Sequence, residues 1–511
     1  MSRVALTIKN AWIALVFQII YIVIQFFSRK IFLDNLGDEF IGIVETLKSM
    51  LQFLNLSELG IGTAVGFSLY KPIYDNNKEK INEIIGYLGF LYKRIGLFVL
   101  TAAFILMLCF PLFFENTDVS LGLIIFLFIA LMTSNILSYF FGYYMFLLYA
   151  DQKGYMNITI NQSVFILRLS LQCLVLIYFE NIYLWIILEL VTPFIYIFLL
   201  RKKIRKVYPW LIFRFKVTKA IRRNNKKLLT KIKELSFHKL GTFVTNSTDN
   251  IIIFSFINPA TVAFVGNYQM VMNNISLLVG KLFEGTNASV GNLVSENDMK
   301  KTLKVFWEFM ALRFFFAGCT SIALYIGFDD FLTLWLGKEY LLSHNILITL
   351  IIIFFMLQIR QPVDSFKQAY GLYSDIWAPV IQSVINLVLS ILFVIKYGIL
   401  GVFLGTLISQ FLVTMLWKPY YMFTYGFKIS HLIYWKGFGF HLLYLSITSV
   451  IYYYVSGFIT IEINSTILFL LVKLLVSGIL FLLIYFSILI LFSEGFKNLV
   501  SRVYLLIKSK I

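Results

Sequence analysis

Long apolar runs separated by short charged intervals set the pattern of this chain. A helix needs about 20 mainly apolar residues to cross the hydrocarbon of a bilayer. That window finds about fourteen candidate spans, at 11–33, 41–69, 84–110, 121–148, 156–178, 182–200, 236–257, 262–285, 305–327, 341–365, 376–395, 398–417, 438–459 and 465–492. Strands of a membrane barrel would be about half as long and would alternate apolar with polar residues. The runs here do not alternate, so the pattern predicts an all-α integral membrane protein of about 14 transmembrane helices.

Charge orients these spans, because Lys and Arg accumulate in cytoplasmic loops. The interval 201–233 holds fourteen basic residues and no acidic one, and 71–80, 300–304, 418–436 and 497–510 are also basic. The stretches "PLFFENTDVS", "YFENIY" and "ITIEIN" carry acids and neither Lys nor Arg. The two sets alternate as an even span count with both termini cytoplasmic requires. Arg29 and Lys30 break the alternation at the outer end of the first helix. They read either as a flank snorkelling to the interface or as a cation facing a cavity. The apolar run after Arg3 and Lys9 resembles the start of a signal peptide, but no small-residue cleavage site follows "FFSRKIF", so a retained first helix is expected.

Composition narrows the function classes. Of 511 residues, 59% are hydrophobic and only 14% charged, and the mean hydropathy of +0.83 is far from a soluble profile. A net charge of +18 would suit nucleic acid, but the basic residues lie between apolar segments rather than beside a soluble aromatic platform, so no nucleic acid is expected. Cys109, Cys173 and Cys319 are isolated within apolar segments, and His238, His344, His431 and His441 have no ligand spacing. No metal site and no cofactor is therefore expected. Absence of a G-x-x-x-x-G-K-[ST] loop argues against nucleotide hydrolysis by the chain itself.

The chain also matches itself at a shift of about 220 residues. Gln162–Ser170 and Gln382–Ser390 share six of nine residues, "EFIGIVE" meets "AFVGNYQ", and Gly62-Thr63 meets Gly285-Thr286. Six spans lie between equivalent segments, so the halves would share one orientation. This predicts two six-helix lobes related by a parallel repeat and followed by a helix pair. The expected divisions are 1–200, a basic cytoplasmic linker at 201–235, 236–418, and 419–511 with the last pair and tail. Parallel repeats of this kind typically place a substrate site between halves that works by alternating access.

Charges inside spans are the candidate chemistry, since each costs several kcal/mol, about 2.5 to 3.5 on insertion scales, unless it faces a bundle interior or water. Arg29, Arg168, Lys281, Arg313 and Arg360 fall within or at the ends of spans, with Glu58, Glu189, Asp249, Glu284 and Asp364. Glu58 falls opposite Lys281 in the repeat, which makes them a candidate pair along a path; pairing of Lys281 with Glu284 on its own helix is the alternative. Arg360 and Asp364, four apart, read as a structural ion pair. Arginine binds phosphate oxygens in a fork, so a cationic cavity would suit a pyrophosphate whose lipid tail stays in the bilayer. The enzyme alternative is a membrane glycosyltransferase or polymerase, using Asp34, Asp38, Glu39, Asp329 or Asp330. Outer loops of about ten to fifteen residues are short for an acceptor site.

"LGDEFIGIVETLKSMLQFLNLSELGIGTAVGFSLYKPI" (Leu36 to Ile73), "TDNIIIFSF" with "VGNYQMVMNNI" and "NASVGNLVSEND", and Gln368 to Ser409 resemble the bacterial polysaccharide transporters of the Wzx type. These are lipid-linked oligosaccharide flippases of the multidrug, oligosaccharidyl-lipid and polysaccharide exporter superfamily. The resemblance implies two lobes around a central cavity in the bacterial inner membrane. It also implies translocation of an undecaprenyl-pyrophosphate-linked oligosaccharide, such as an O-antigen repeat unit, from the cytoplasmic to the periplasmic leaflet. A proton or sodium gradient would drive at least some members, and membrane lipids and other glycan-assembly proteins would be partners. Arg29, Glu58 and Asp249 carry over by motif as cavity-lining residues, whereas Arg168, Lys281 and Arg313 rest on this chain's own pattern. The rival readings are a drug or other lipid-precursor exporter of the same superfamily, the transferase, and a scaffold for an envelope assembly.

Overall fold

A computed structural model describes residues 3–508 apart from 55–60, 214, 216, 226–228, 230–247, 284–285, 373 and 459–465. Among the described residues the regular structure is helical, with no strand. Eleven of these helices are long and apolar enough to cross a membrane, so the chain is a multi-pass membrane protein. Three other expected spans differ for visible reasons. The span at 41–69 becomes two helices on either side of 55–60, and most of 236–257 lies outside the described residues. The span at 262–285 is a 24-residue helix, Pro259–Leu282, whose Asn267, Gln269, Asn273 and Asn274 dilute its hydropathy.

Two compact units divide the chain, Met1–Gly266 and Asn267–Ile511. The first contains α1 (Arg3–Leu36), α2 (Asp38–Leu54), α3 (Ile61–Tyr74), α4 (Lys78–Leu108), α5 (Leu121–Leu137), α6 (Gly154–Phe179) and α7 (Ile182–Val207). Gly37 joins α1 to α2 with φ +79°, a left-handed conformation that costs a β-carbon residue strain. Asp38 and Glu39 then open α2, where acids complement the helix N-terminus. Asn181 starts α7 as its side chain accepts from the Leu184 N–H at 3.0 Å, satisfying an otherwise unpaired donor. α6 packs against both α1 and α7, and α5 against α7. At one end of the unit, Leu88, Tyr92, Tyr139, Tyr144 and Leu148 form a nearly solvent-free aromatic core.

The described part of the expected linker lies on this core. The Tyr208 hydroxyl donates to Asp151 Oδ2 at 2.7 Å, the Ile212 N–H to Asn82 Oδ1 at 2.8 Å, and the Tyr144 hydroxyl to the Phe213 carbonyl at 2.5 Å. Leu211 is buried, with Trp210, Phe213, Val217 and Ile221 packed beside it. Burial and the neighbouring Asp151 both push the Tyr208 hydroxyl well above its ordinary pKa, so it stays protonated as a donor.

The second unit contains α8 (Met299–Trp335), α9 (His344–Ile359), α10 (Gln361–Ala369), α11 (Trp377–Tyr397), α12 (Ile399–Gln410), α13 (Leu432–Ser456), α14 (Thr466–Phe492) and α15 (Glu494–Lys508). Asp298 caps α8 by accepting from the Lys301 N–H at 3.0 Å. The α11–α12 hairpin is very close-packed because Gly401 and Gly405 of α12 lie directly on the Phe393 and Ser390 backbone. Ser390 Oγ donates to the Val402 carbonyl at 2.9 Å and Asn386 Nδ2 to Thr406 Oγ1 at 2.7 Å. The α14 helix packs on α8 through Ala311, Phe481, Tyr485 and Leu489, with Tyr444 and Leu445 of α13 against the same cluster.

The six-of-nine match between Gln162–Ser170 and Gln382–Ser390 does not carry over to burial. Ser170 is exposed and Ser390 fully buried, while Gln172 is buried and Leu392, its counterpart at that shift, is 58% exposed. The inward faces correspond two residues further along, where Val164 and Gln172 of α6 match buried Asn386 and Val394 of α11. Two residues rotate a helix by about 200°, so the identity reflects shared composition rather than a shared face.

Candidate functional site

Four helices of the first unit enclose an open pocket of about 310 Å³ lined by α2, α5, α6 and α7. Apolar Leu51, Leu131 and Val164 form part of its wall, yet Lys48, Gln52, Ser134, Asn135, Asn161, Arg168, Glu189, Thr192 and Tyr196 also line it. Nine polar side chains, seven of them on helices of membrane-crossing length and hydropathy, make it a hydrophilic interior rather than a packing void.

At its wall, Arg168 of α6 pairs with Glu189 of α7. Their side chains are only 14% and 10% exposed, so the pair sits at low effective dielectric. Gln172, one turn along from Arg168, donates through Nε2 to Glu189 Oε2 at 3.3 Å and to the Trp185 carbonyl at 3.2 Å. The Phe165 ring lies under the guanidinium at 4.5 Å, an arrangement that attracts a desolvated cation to the ring face. Arg168 Nε has no hydrogen-bond partner among the described residues. Pro193 lacks an N–H and so leaves the Glu189 carbonyl without its helical donor, adding a backbone acceptor beside the carboxylate. On the neighbouring wall Tyr196 donates to Asn157 Oδ1 at 2.9 Å, and Asn157 Nδ2 in turn donates to the Tyr149 hydroxyl at 3.0 Å.

A second charge chain reaches the pocket through α2. Arg29 of α1 is 8% exposed, and its guanidinium donates from Nη1 to Glu45 Oε1 at 3.1 Å and from Nη2 to the Ala263 carbonyl at 3.0 Å. Glu45 Oε1 also lies 3.5 Å from Lys48 Nζ. Arg29 is thus a buried, paired cation that holds the carboxylate beside Lys48, not a snorkelling flank.

The other expected residues lie elsewhere. Asp249 is buried on the helix at 248–256 and does not line this pocket. Glu58 falls outside the described residues, as does Glu284, while Lys281 is half-buried near the end of Pro259–Leu282. Arg313 of α8 is buried in the second unit against the Phe283 and Phe309 rings, at 3.8 and 5.4 Å. It forms no ion pair with a described residue. Arg360 and Asp364 do pair, at 3.3 Å, and Lys418 joins Asp364 at 2.9 Å. Sequence reading passed over Glu45, Lys48, Asn135 and Asn161. Glu45 and Lys48 have the i, i+3 spacing that could have flagged them. Among the described residues no group of His, Cys, Asp and Glu could hold a metal ion. Two of the acids offered to a transferase have structural partners: Asp329 lies 3.7 Å from His344 and Asp330 2.5 Å from Lys473.

No family model matches this chain, and no curated protein matches it. Solved structures do. The chain is similar to the lipid II flippase MurJ in an inward closed conformation, with a TM-score of 0.65 and 17% identity over 94% of this chain and 98% of that one. It is also similar to an inward-facing multidrug resistance MATE family transporter of the MOP superfamily, with a TM-score of 0.58 and 13% identity over 80% and 97% of the two chains. A MATE transporter in complex with MaD3S gives 0.53 and 14% identity over 80% and 93%. At these identities the likeness shows the fold. It is the all-helical architecture that these solved structures share.

Proposed function

We propose that the chain is a flippase for a lipid-linked surface glycan. In this reading it moves an undecaprenyl-pyrophosphate-linked oligosaccharide from the cytoplasmic to the periplasmic leaflet of a bacterial inner membrane, by alternating access and with both termini cytoplasmic. The observation that carries the reading is the hydrophilic pocket inside a membrane-crossing bundle, where Lys48 and Arg168 outnumber the single lining carboxylate, Glu189. A net positive lining favours an anionic headgroup, and the amide and hydroxyl groups of Asn135, Asn161 and Tyr196 suit sugar hydroxyls. Arg168 would contact the pyrophosphate, with Arg29 positioning Lys48 through Glu45. Asp249, Lys281 and Arg313, with Glu58, would serve other parts of the path. A proton or sodium gradient would drive release.

Reconstitution in proteoliposomes with a fluorescent undecaprenyl-pyrophosphate oligosaccharide tests this. Wild type should deliver the lipid to the opposite leaflet, and Arg168→Gln should slow delivery at least about tenfold, as expected for losing one charge-assisted contact. The MATE-like fold supports export of a cationic drug as the second reading. Drug efflux that survives Arg168→Gln, with no delivery of several such lipids under either gradient, would favour it.

A further inference from the structure

We propose that the described residues of the strap 208–225, with the Phe90–Arg94 face of α4 and the last turn of α7, form a docking surface for anionic phospholipid headgroups of the cytoplasmic leaflet. Its inner side is fixed to the first unit by the Tyr208, Ile212 and Phe213 hydrogen bonds and by Asn225, whose Nδ2 donates to Glu83 Oε1 at 2.6 Å. The described residues of the strap are therefore a shaped part of the unit, and basic side chains of the strap, α4 and α7 surround it.

Those surrounding side chains are of one sign. Arg94, Arg205, Lys206, Lys219, Arg222 and Arg223 are all exposed, and none forms an ion pair with a described residue. Two of them share one ring: the Arg94 guanidinium lies 4.5 Å and the Arg222 guanidinium 4.3 Å from the Phe90 centroid. Further along, Arg205 lies 5.0 Å from the Phe213 ring. Aromatic faces thus gather guanidinium groups that no carboxylate pairs with among the described residues. An anion placed between them converts their repulsion into attraction.

Two features favour a bilayer as the source of the anion over a free phosphate. Ile212 is 52% exposed on the strap, next to half-buried Trp210, an apolar and aromatic edge of the kind that enters the interfacial zone. The strap also follows directly from α7, a helix of membrane-crossing length and hydropathy that ends at Val207, which sets the basic side chains at headgroup level. Each Lys or Arg near an anionic surface contributes roughly fivefold in partition.

Native mass spectrometry of the full-length protein, in mixed phosphatidylglycerol and phosphatidylcholine nanodiscs, tests the assignment. Wild type should retain phosphatidylglycerol preferentially. Arg94→Gln with Arg222→Gln should lower that preference about fivefold per guanidinium removed, with an unchanged melting temperature in pure phosphatidylcholine. Should that variant fold poorly, Lys219→Gln with Arg223→Gln removes two exposed charges without disturbing the Phe90 stack, and a comparable drop is expected. Millimolar inorganic phosphate should not displace the retained lipid. Equal retention of both lipids by wild type, an undiminished preference in a well-folded variant, or displacement by inorganic phosphate would overturn the proposal.

Discussion

The α6–α7 pair of the first unit and the α11–α12 pair of the second are both antiparallel hairpins, but their interiors differ. In α11–α12, Gly401 and Gly405 bring backbone onto backbone, and Ser390, Asn386 and Thr406 bond across the contact as neutral groups. Small residues permit this approach, and dispersion then holds helices together where lipid leaves no hydrophobic drive. In α6–α7 the contact instead carries Arg168, Glu189 and Pro193 and borders the pocket. An ion pair there is weak evidence for stability, since desolvation offsets much of its attraction. One hairpin is built as a fixed contact, the other as a place where water and charge persist.

The comparison can be broken in stages. Glu189→Leu leaves Arg168 buried and uncompensated, and should cost about 3–5 kcal/mol in thermal unfolding of the reconstituted protein. A loss below 1 kcal/mol would mean the pair is solvated. Adding Arg168→Met to Glu189→Leu should recover most of that loss while lipid delivery stays absent, separating a functional charge from a structural one. In the second hairpin, Gly405→Leu drives a side chain into the Ser390 backbone and should cost at least about 1–3 kcal/mol. An unchanged melting temperature would show that the helices part readily. Smallest, Asn386→Ala removes one neutral interhelical bond and should cost about 0.6 kcal/mol.

Much of the first hairpin was legible before the structure. Arg168 stood out because a cation interrupts an apolar run, and so did Arg29. Their partners were not, since Glu189 lies 21 residues from Arg168 and Glu45 16 from Arg29. Sequence spacing names neighbours within one helix, as it did for Arg360 and Asp364, but not across a turn of unknown register. Asn135 and Asn161 carry no charge and leave little mark in a hydropathy window. At Gln162–Ser170 the match to Gln382–Ser390 does not extend to burial for the same reason: in apolar helices, identity of letters comes easily and identity of face does not. The basic interval 201–233 was expected to be a connection between lobes, but nothing in its charge marked the apolar cluster Trp210 to Phe213 as the anchor of the strap.

The strap bears on how the chain is made. Its anchoring partners, Asn82, Glu83, Tyr144 and Asp151, all precede it in sequence. During synthesis each is already present when residues 208–225 leave the ribosome, so this end of the first unit is tied off before the later helices exist. Translation order thus gives the nascent chain a local stop at which early helices settle before their later counterparts compete for the same partners.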